Sequence, residues 1–195
     1  MKKILSLSIL LLAGTSGAFA DSILVSPASQ NVSAGQTFTA DINIDNIPDL
    51  YDYQFSLSFD PAVLAAQSIG EGPLFANTGN SFFLPGSIDN NAGSISLTAD
   101  TLFGPTGVAG PGTLAVLQFT AIGSGMSSID FSPLGDLILQ DSQGNALSVT
   151  PVSGTVDVAA VPEPPTLLLA GPLLALILLA FGVAKFRRLF SLSGM

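Results

Sequence analysis

The chain has 195 residues, no cysteine, no histidine and a formal net charge of −9. All five lysines and arginines lie near the two ends, so Asp21 to Ala160 carries acids and no cation. This excludes internal side-chain salt bridges and disulfides in the body, and it argues against binding nucleic acid or anionic surfaces, which requires cations.

In chain order, Lys2 and Lys3, the apolar run Ile4 to Ala13, and Ala18-Phe19-Ala20 are the three parts of a secretory signal peptide. Cleavage after Ala20 makes Asp21 the first mature residue. The apolar run is too short to span a bilayer, so residues 1–20 are excluded from the fold. The body that remains, roughly 140 residues, is long enough for one domain with its own core.

The body reads as β throughout. Phe38, Ala40, Ile42 and Ile44 alternate with Thr37, Thr39, Asp41 and Asn43. Tyr53, Phe55, Leu57 and Phe59 alternate with Asp52, Gln54, Ser56 and Ser58, and Ile95, Leu97 and Ala99 alternate with Ser94, Ser96 and Thr98. Period two marks a strand with one face in the core. Leu114 to Ala121 is more continuously apolar, as a central strand would be. Ile129 to Phe131, Leu137 to Leu139, Ala146 to Val149 and Thr155 to Val158 are shorter candidates. Residues 33–36, 90–93 and 142–145 have turn chemistry. Asp60-Pro61 is a start signal for a short helical turn over Ala62 to Ala66. The Gly- and Asn-rich stretch from Gly70 to Gly86, with Phe75, Phe82 and Phe83, predicts a long crossing loop. Many short strands between turns, with no long amphipathic helix, predict a two-sheet sandwich. Residues 159–165 form a stiff, Pro-rich linker.

An ordered set of these pieces resembles a cohesin domain. It runs Val32-x-x-Gly35, Phe38 to Ile44, Leu50-Tyr51-x-Tyr53-x-Phe55, then Phe59-Asp60-Pro61-x-x-Leu64. Gly112-x-Leu114-Ala115-x-Leu117-x-Phe119 and Leu137-x-Leu139-x-Asp141-x-x-Gly144 continue it. The resemblance covers most of Ser22 to Val158. It implies an all-β, cohesin-like jelly-roll β-sandwich of about nine strands over residues 21–158. It also implies binding to the calcium-loaded dockerin module of another protein, often one that carries glycan-degrading enzymes. Some carbohydrate-binding modules share the architecture.

Missing residue types narrow the chemistry. Without His or Cys there is no Ser-His-Asp triad, no thiol nucleophile and no zinc site built on those ligands. Without Lys in the body there is no Schiff base. Carboxylate pairs such as Asp49 with Asp52, or Asp136 with Asp141, are what a glycosidase would use, but no cleft is indicated, so no catalytic residue is assigned. Calcium is the one cofactor to consider. Asp45-Asn46 with Asp49, Asp89-Asn90-Asn91, and Asp141 with Asn145 offer oxygen ligands, yet turns are rich in these residues anyway, and no metal ligand is assigned. Asn31-Val32-Ser33 matches the N-glycosylation pattern and is read as coincidence. For glycan binding, Tyr51 and Tyr53 share the inward parity of Phe55, which leaves Phe82 and Phe83. For protein binding, Thr39, Asp41, Gln54 and Ser56 are outward strand residues that would form a partner face.

The C-terminus carries Val161-Pro162-Glu163-Pro164, an apolar run over 166–184, and Lys185, Arg187 and Arg188. At ~1.5 Å per residue the run spans roughly 28 Å as a helix, close to a bilayer's hydrocarbon thickness. The cations after it are a stop-transfer signal that keeps 185–195 in the cytoplasm and the body outside. The order of tripeptide, helix and basic end resembles the PEP-CTERM sorting signal of Gram-negative bacteria. That resemblance implies recognition by an exosortase that cuts near the tripeptide; a permanent single-pass anchor is the alternative. The combined expectation is a non-enzymatic protein exported across the inner membrane and held first as a single-pass precursor, then placed at the cell surface or in the extracellular matrix. It binds a dockerin-type module or, alternatively, polysaccharide.

Overall fold

The computed structural model describes residues 21–160. Ala18, Ala20, Val161 to Pro164, the apolar run and Lys185, Arg187 and Arg188 lie outside the described residues. Among the described residues no helix is long and apolar enough to cross a membrane.

Thirteen strand segments build the domain: β1 (Ser22–Ser26), β2 (Ser29–Ser33), β3 (Thr37–Asp45), β4 (Asp52–Ser58), β5 (Leu64–Glu71), β6 (Ser81–Leu84), β7 (Ser87–Asp89), β8 (Ser94–Leu102), β9 (Gly112–Ala121), β10 (Gly125–Phe131), β11 (Ile138–Gln140), β12 (Thr150–Val152) and β13 (Gly154–Ala159). One helical turn, α1 (Pro73–Ala76), and a 3-10 turn (Leu134–Asp136) complete it. The first sheet has the order β12-β1-β3-β9-β5. The second has the order β2-β13-β10-β4-β8-β6, with β11 also on β4 and β7 also on β8. The count exceeds nine because short segments pair end to end along β4 and β8.

The two inner faces meet in one core. The first sheet contributes Ile23, Val25, Ala40, Ile42, Ile44, Leu117 and Phe119; the second contributes Tyr53, Phe55, Leu57, Ile95, Ile129, Phe131, Val156 and Val158. Rings interlock across it: Phe59 meets Phe119 edge-on at 5.3 Å, and Tyr53 meets Phe75 of α1 at 5.1 Å. The Tyr53 hydroxyl donates to the Leu114 carbonyl at 2.7 Å, tying β4 to β9 with a satisfied polar group inside an apolar core.

The strands expected from alternation form: β3, β4, where Ser56 alone breaks the pattern, and the start of β8, with β9 flanked on both sides. Five expectations are corrected. The Asp60-Pro61 turn does form, with Asp60 Oδ1 accepting from the Ala62 N–H at 2.8 Å, but it ends at Leu64, where β5 begins. Pairing with β9 overrides the helical preference of Leu64-Ala65-Ala66. The stretch 70–86 is not a loop: it holds the end of β5, then α1, whose Phe75 is buried, then β6. Residues 146–149 form no strand, only an isolated bridge from Ala146 to Gln140. Ala159, expected in the linker, closes β13.

The fifth correction concerns β8. Phe55 pairs with Thr98 but Leu57 pairs with Ile95, so β8 holds one residue more than β4 between those pairs. This is a bulge. Leu97 takes a φ of 56°. Beyond it the inward residues are Thr98, Asp100 and Leu102, while Leu97 and Ala99, expected to face the core, turn outward.

Candidate functional site

The bulge is pinned from outside the core. The Ser56 Oγ accepts from the Leu97 N–H at 3.0 Å and donates to Asp136 Oδ2 at 2.6 Å. Ser56 is therefore buried beneath the 3-10 turn, although strand parity points it outward. On the far side Gly86 (φ 77°) sits against the bulge: a Cβ there would lie 2.5 Å from the Ser96 carbonyl oxygen and 2.9 Å from Thr98 Oγ1.

What the bulge exposes becomes clear from the register. Ile138 pairs with Gln54, Gln54 with Ala99, and Ala99 with Leu84, giving a row across β11, β4, β8 and β6. The next row is Gln140, Asp52, Thr101 and Phe82. Paired residues share a face, and here it is the outer one, because the intervening partners Leu139, Tyr53 and Asp100 are buried. Phe82 is 60% exposed, Leu84 and Leu97 49% each, and Ile138 41%. These side chains surround Ala99 and make an apolar patch on a sheet face that alternation alone would leave polar.

Its rim is acidic. Asp52 stands in the second row, and burial raises its carboxyl above the ordinary range despite a hydrogen bond from Thr101. Asp136 lies on the 3-10 turn that covers Ser56. No lysine or arginine exists between residues 21 and 160 to balance them. The outer face of the first sheet is different in kind. Thr37 opposes Thr120 and Thr39 opposes Gln118, a polar, hydroxyl-rich surface. Thr39 and Asp41 thus lie on one sheet and Gln54 and Ser56 on the other, with the core between them, so the four do not form one partner face.

The candidate chemical groups resolve into structural roles. Asp49 Oδ1 accepts from the Gly107 N–H at 2.7 Å, and its Oδ2 accepts from the Ser142 hydroxyl at 2.7 Å; with the Ser142 hydroxyl as the main cause, its carboxyl sits below the usual range. Asp141 closes its own turn by accepting from Asn145 and Gln143, and Asn145 chiefly lowers its carboxyl as well. Asp89 Oδ1 accepts from the Asn91 and Ala92 N–H groups. Asn90 bonds both ways to the Ala66 backbone of β5, acting as a substitute strand partner. Asp45 accepts from Ser22, and Asn46 takes a left-handed φ of 52°. Among the described residues no three His, Cys, Asp or Glu side chains gather closely enough to hold a metal ion. Tyr53 is buried and Tyr51 half-buried, which removes both as glycan platforms, and Phe83, paired with Asp100, is half-buried.

One polar group went unnoticed in the sequence. Asp100 is 1% exposed, and neither of its oxygens accepts a well-formed hydrogen bond. Burial first, then the Glu71 carboxylate, push it up to about 7; the Thr101 N–H and the Tyr53 hydroxyl pull the other way more weakly. Strict alternation from Ile95 places Asp100 outside. A signal was present, however: Ile95 and Leu102 are an odd number of residues apart, and both can face the core only across a bulge.

A family model for the cohesin domain matches residues 23–158. Among curated proteins no sequence matches the chain. Solved structures similar to it include a type II cohesin domain from the cellulosome of Acetivibrio cellulolyticus (TM-score 0.60, 22% identity, 70% of this chain and 95% of that one). A non-cellulosomal cohesin from Archaeoglobus fulgidus aligns with a TM-score of 0.59 and 18% identity over 74% of this chain and 94% of its own. A type I cohesin–dockerin complex from Clostridium thermocellum aligns with a TM-score of 0.58 and 12% identity over 72% and 99%. At these identities the likeness is one of fold.

Proposed function

The chain belongs to the cohesin domain family, and from that premise we propose that it is a non-catalytic, exported binding module that captures a dockerin-type module on the outer face of β11, β4, β8 and β6. The observation that carries this reading is Leu97. A leucine at positive φ costs about 1–2 kcal/mol, and this one is held there by Ser56 and Asp136 with its side chain half in solvent. Strain kept at an exposed apolar residue points to use rather than packing. An apolar centre with a polar rim is also the anatomy of a protein-binding surface. The dockerin is named because solved neighbours pair a cohesin with one.

Charge specifies the partner further. The module offers only carboxylates, so the partner supplies the cations, as lysine, arginine or a bound metal ion facing the rim. Such an association is faster and tighter at low salt. The signal peptide with Ala18 and Ala20, and the C-terminal Val161 to Pro164, apolar run, Lys185, Arg187 and Arg188, support export followed by exosortase-type sorting to the surface or matrix.

Phe82→Ala and Leu84→Asp, made in the full chain, test the face. Each is expected to weaken capture of a dockerin module from the same genome by about tenfold or more, with little change in unfolding midpoint because both side chains are exposed. Unchanged capture by both variants would place the partner elsewhere. Glycan binding is the second reading, favoured by the well-exposed ring of Phe82. Retention on insoluble polysaccharide that Phe82→Ala abolishes, without dockerin capture, would replace the first.

A further inference from the structure

Edge strand β6 carries Phe82 and Leu84, and it is only four residues long. Its ladder partner is β8. Its inner side has one further polar tie, from the Ser81 hydroxyl to Glu71 Oε1 at 2.5 Å, which joins β6 to the last residue of β5 in the opposite sheet. Beside Glu71 lies Asp100, the Cα partner of both Phe83 in β6 and Tyr53 in β4. The orphaned carboxyl group and the β6 tie therefore meet at one point.

Few groups can neutralise Asp100. The ionisable groups acting on it are Glu71 from β5 and Tyr53 from β4, and the Tyr53 proton is committed to the Leu114 carbonyl. The segments Pro73–Ala76, Ser81–Leu84 and Gly112–Ala121 contain no titratable side chain. No lysine or arginine exists in the body, and among the described residues no third acid joins the pair. Two adjacent carboxylates, one fully desolvated, do not both ionise readily, and the simplest neutralising ion is a proton held between them.

Resting on the reading of the outer face as the partner surface, we propose that Asp100 and Glu71 share one proton and form a clasp that holds β6, with Phe82 and Leu84, onto the sandwich, and that losing this proton to solvent loosens the face. With the proton in place, the carboxyl O–H donates across the pair and Glu71 keeps its bond from Ser81. Once it leaves, two negative charges face each other beneath β6, and Glu71 gains by swinging toward water, which releases Ser81. The direction follows from linkage. Asp100 binds its proton more tightly in the fold than in the unfolded chain, so its contribution is fully favourable below the ordinary value of 3.8 and is lost as pH rises toward about 7.

Hydrogen exchange read by mass spectrometry on the full chain tests the clasp without any partner. After correction for intrinsic rates, protection of Ser81–Leu84 relative to β3 should fall about tenfold or more between roughly pH 5.5 and pH 8.5. Asp100→Asn should hold its protection at the higher pH, and Glu71→Gln is the second variant should the first fold poorly. Flat protection in the wild type, or an unaltered pH response in both variants, would overturn the clasp. So would millimolar calcium restoring protection at high pH where a chelator does not, since a metal rather than a proton would then close the pair. Dockerin capture is measured alongside. Loosening of β6 with constant affinity would break the link to the face, whereas loosening with no capture at any pH would count against the partner reading and leave the clasp standing.

Discussion

Substitutions at Leu97 separate backbone strain from side-chain contact. In an ordinary strand glycine is less stable than alanine by about 0.5–1 kcal/mol. At the left-handed φ of 56° any residue with a Cβ bears about 1–2 kcal/mol that glycine does not. The usual order should therefore invert, with Leu97→Gly more stable than Leu97→Ala by about 0.5–1 kcal/mol. Both lose part of the leucine's burial; since the side chain is 49% exposed, that loss is about 1 kcal/mol rather than the full value for a core leucine. The expected result is a glycine variant close to wild type in urea midpoint and an alanine variant clearly below it. Both should capture a dockerin-type partner about tenfold more weakly, because each removes the apolar group the bulge presents. An alanine variant more stable than the glycine variant would refute the left-handed bulge. Wild-type capture by both variants would refute its role in binding.

Gly86→Ala should cost more than about 2 kcal/mol and weaken capture with it, since its Cβ meets the Ser96 carbonyl at 2.5 Å at a φ of 77°; a variant with wild-type midpoint would show that the β6–β7 corner does not press on the bulge. Asp49, whose carboxyl sits below 3.8, contributes stability above that value that is lost as pH falls through its folded pKa. Asp49→Asn should therefore flatten the acid limb of the unfolding curve, and proteolysis near Gly107 and Ser142 should rise at acid pH in the wild type alone. Changing Pro162, Glu163 and Pro164 to alanine should leave full-length protein in the inner membrane by fractionation, and normal maturation would rule out the sorting motif. Neutral residues at Lys185, Arg187 and Arg188 should impair membrane retention, and unchanged topology would rule out stop-transfer.

The parts of the fold legible in sequence were those where one physical rule acted alone. In β3 alternation is unbroken, and in β4 Ser56 alone departs from it, so the core faces follow from the pattern. Where two rules competed, local sequence favoured the wrong one. Asp60-Pro61 before Leu64-Ala65-Ala66 looks like a helix start, and only pairing with the distant β9 makes it a strand. In β6 the apolar residues Phe82 and Leu84 face water, so the alternation rule has no core to report. The apolar outer face of β11, β4, β8 and β6 escapes the alternation rule for the same reason. Alternation points to Thr39, Asp41, Gln54 and Ser56 as outward polar residues, whereas the distinctive surface consists of outward apolar ones. One inserted residue at Leu97 then exchanged the faces of everything after it in β8 and hid Asp100 from any reading by parity.

The absence of lysine and arginine links that buried acid to the surface above it. A domain without cations must satisfy its acids by other means, and here it does so with hydroxyls and backbone N–H groups. Asp49 takes Gly107 and Ser142, Asp60 takes Ala62, Asp89 takes Asn91 and Ala92, Asp136 takes Ser56, and Glu71 takes Ser81. Asp100 departs from this pattern, with neither oxygen given a donor. Leucine or asparagine at that position would avoid the desolvation cost, so stability alone does not account for an aspartate there. Its neighbours in β8 are Ala99 and Thr101, both members of the outer rows, and its partner in β6 is Phe83, between Phe82 and Leu84. The buried acid without a well-formed hydrogen bond thus lies directly beneath the apolar surface, on the same strand as the left-handed leucine. Two separate departures from best packing, one electrostatic and one in the backbone, converge on the face assigned to the partner.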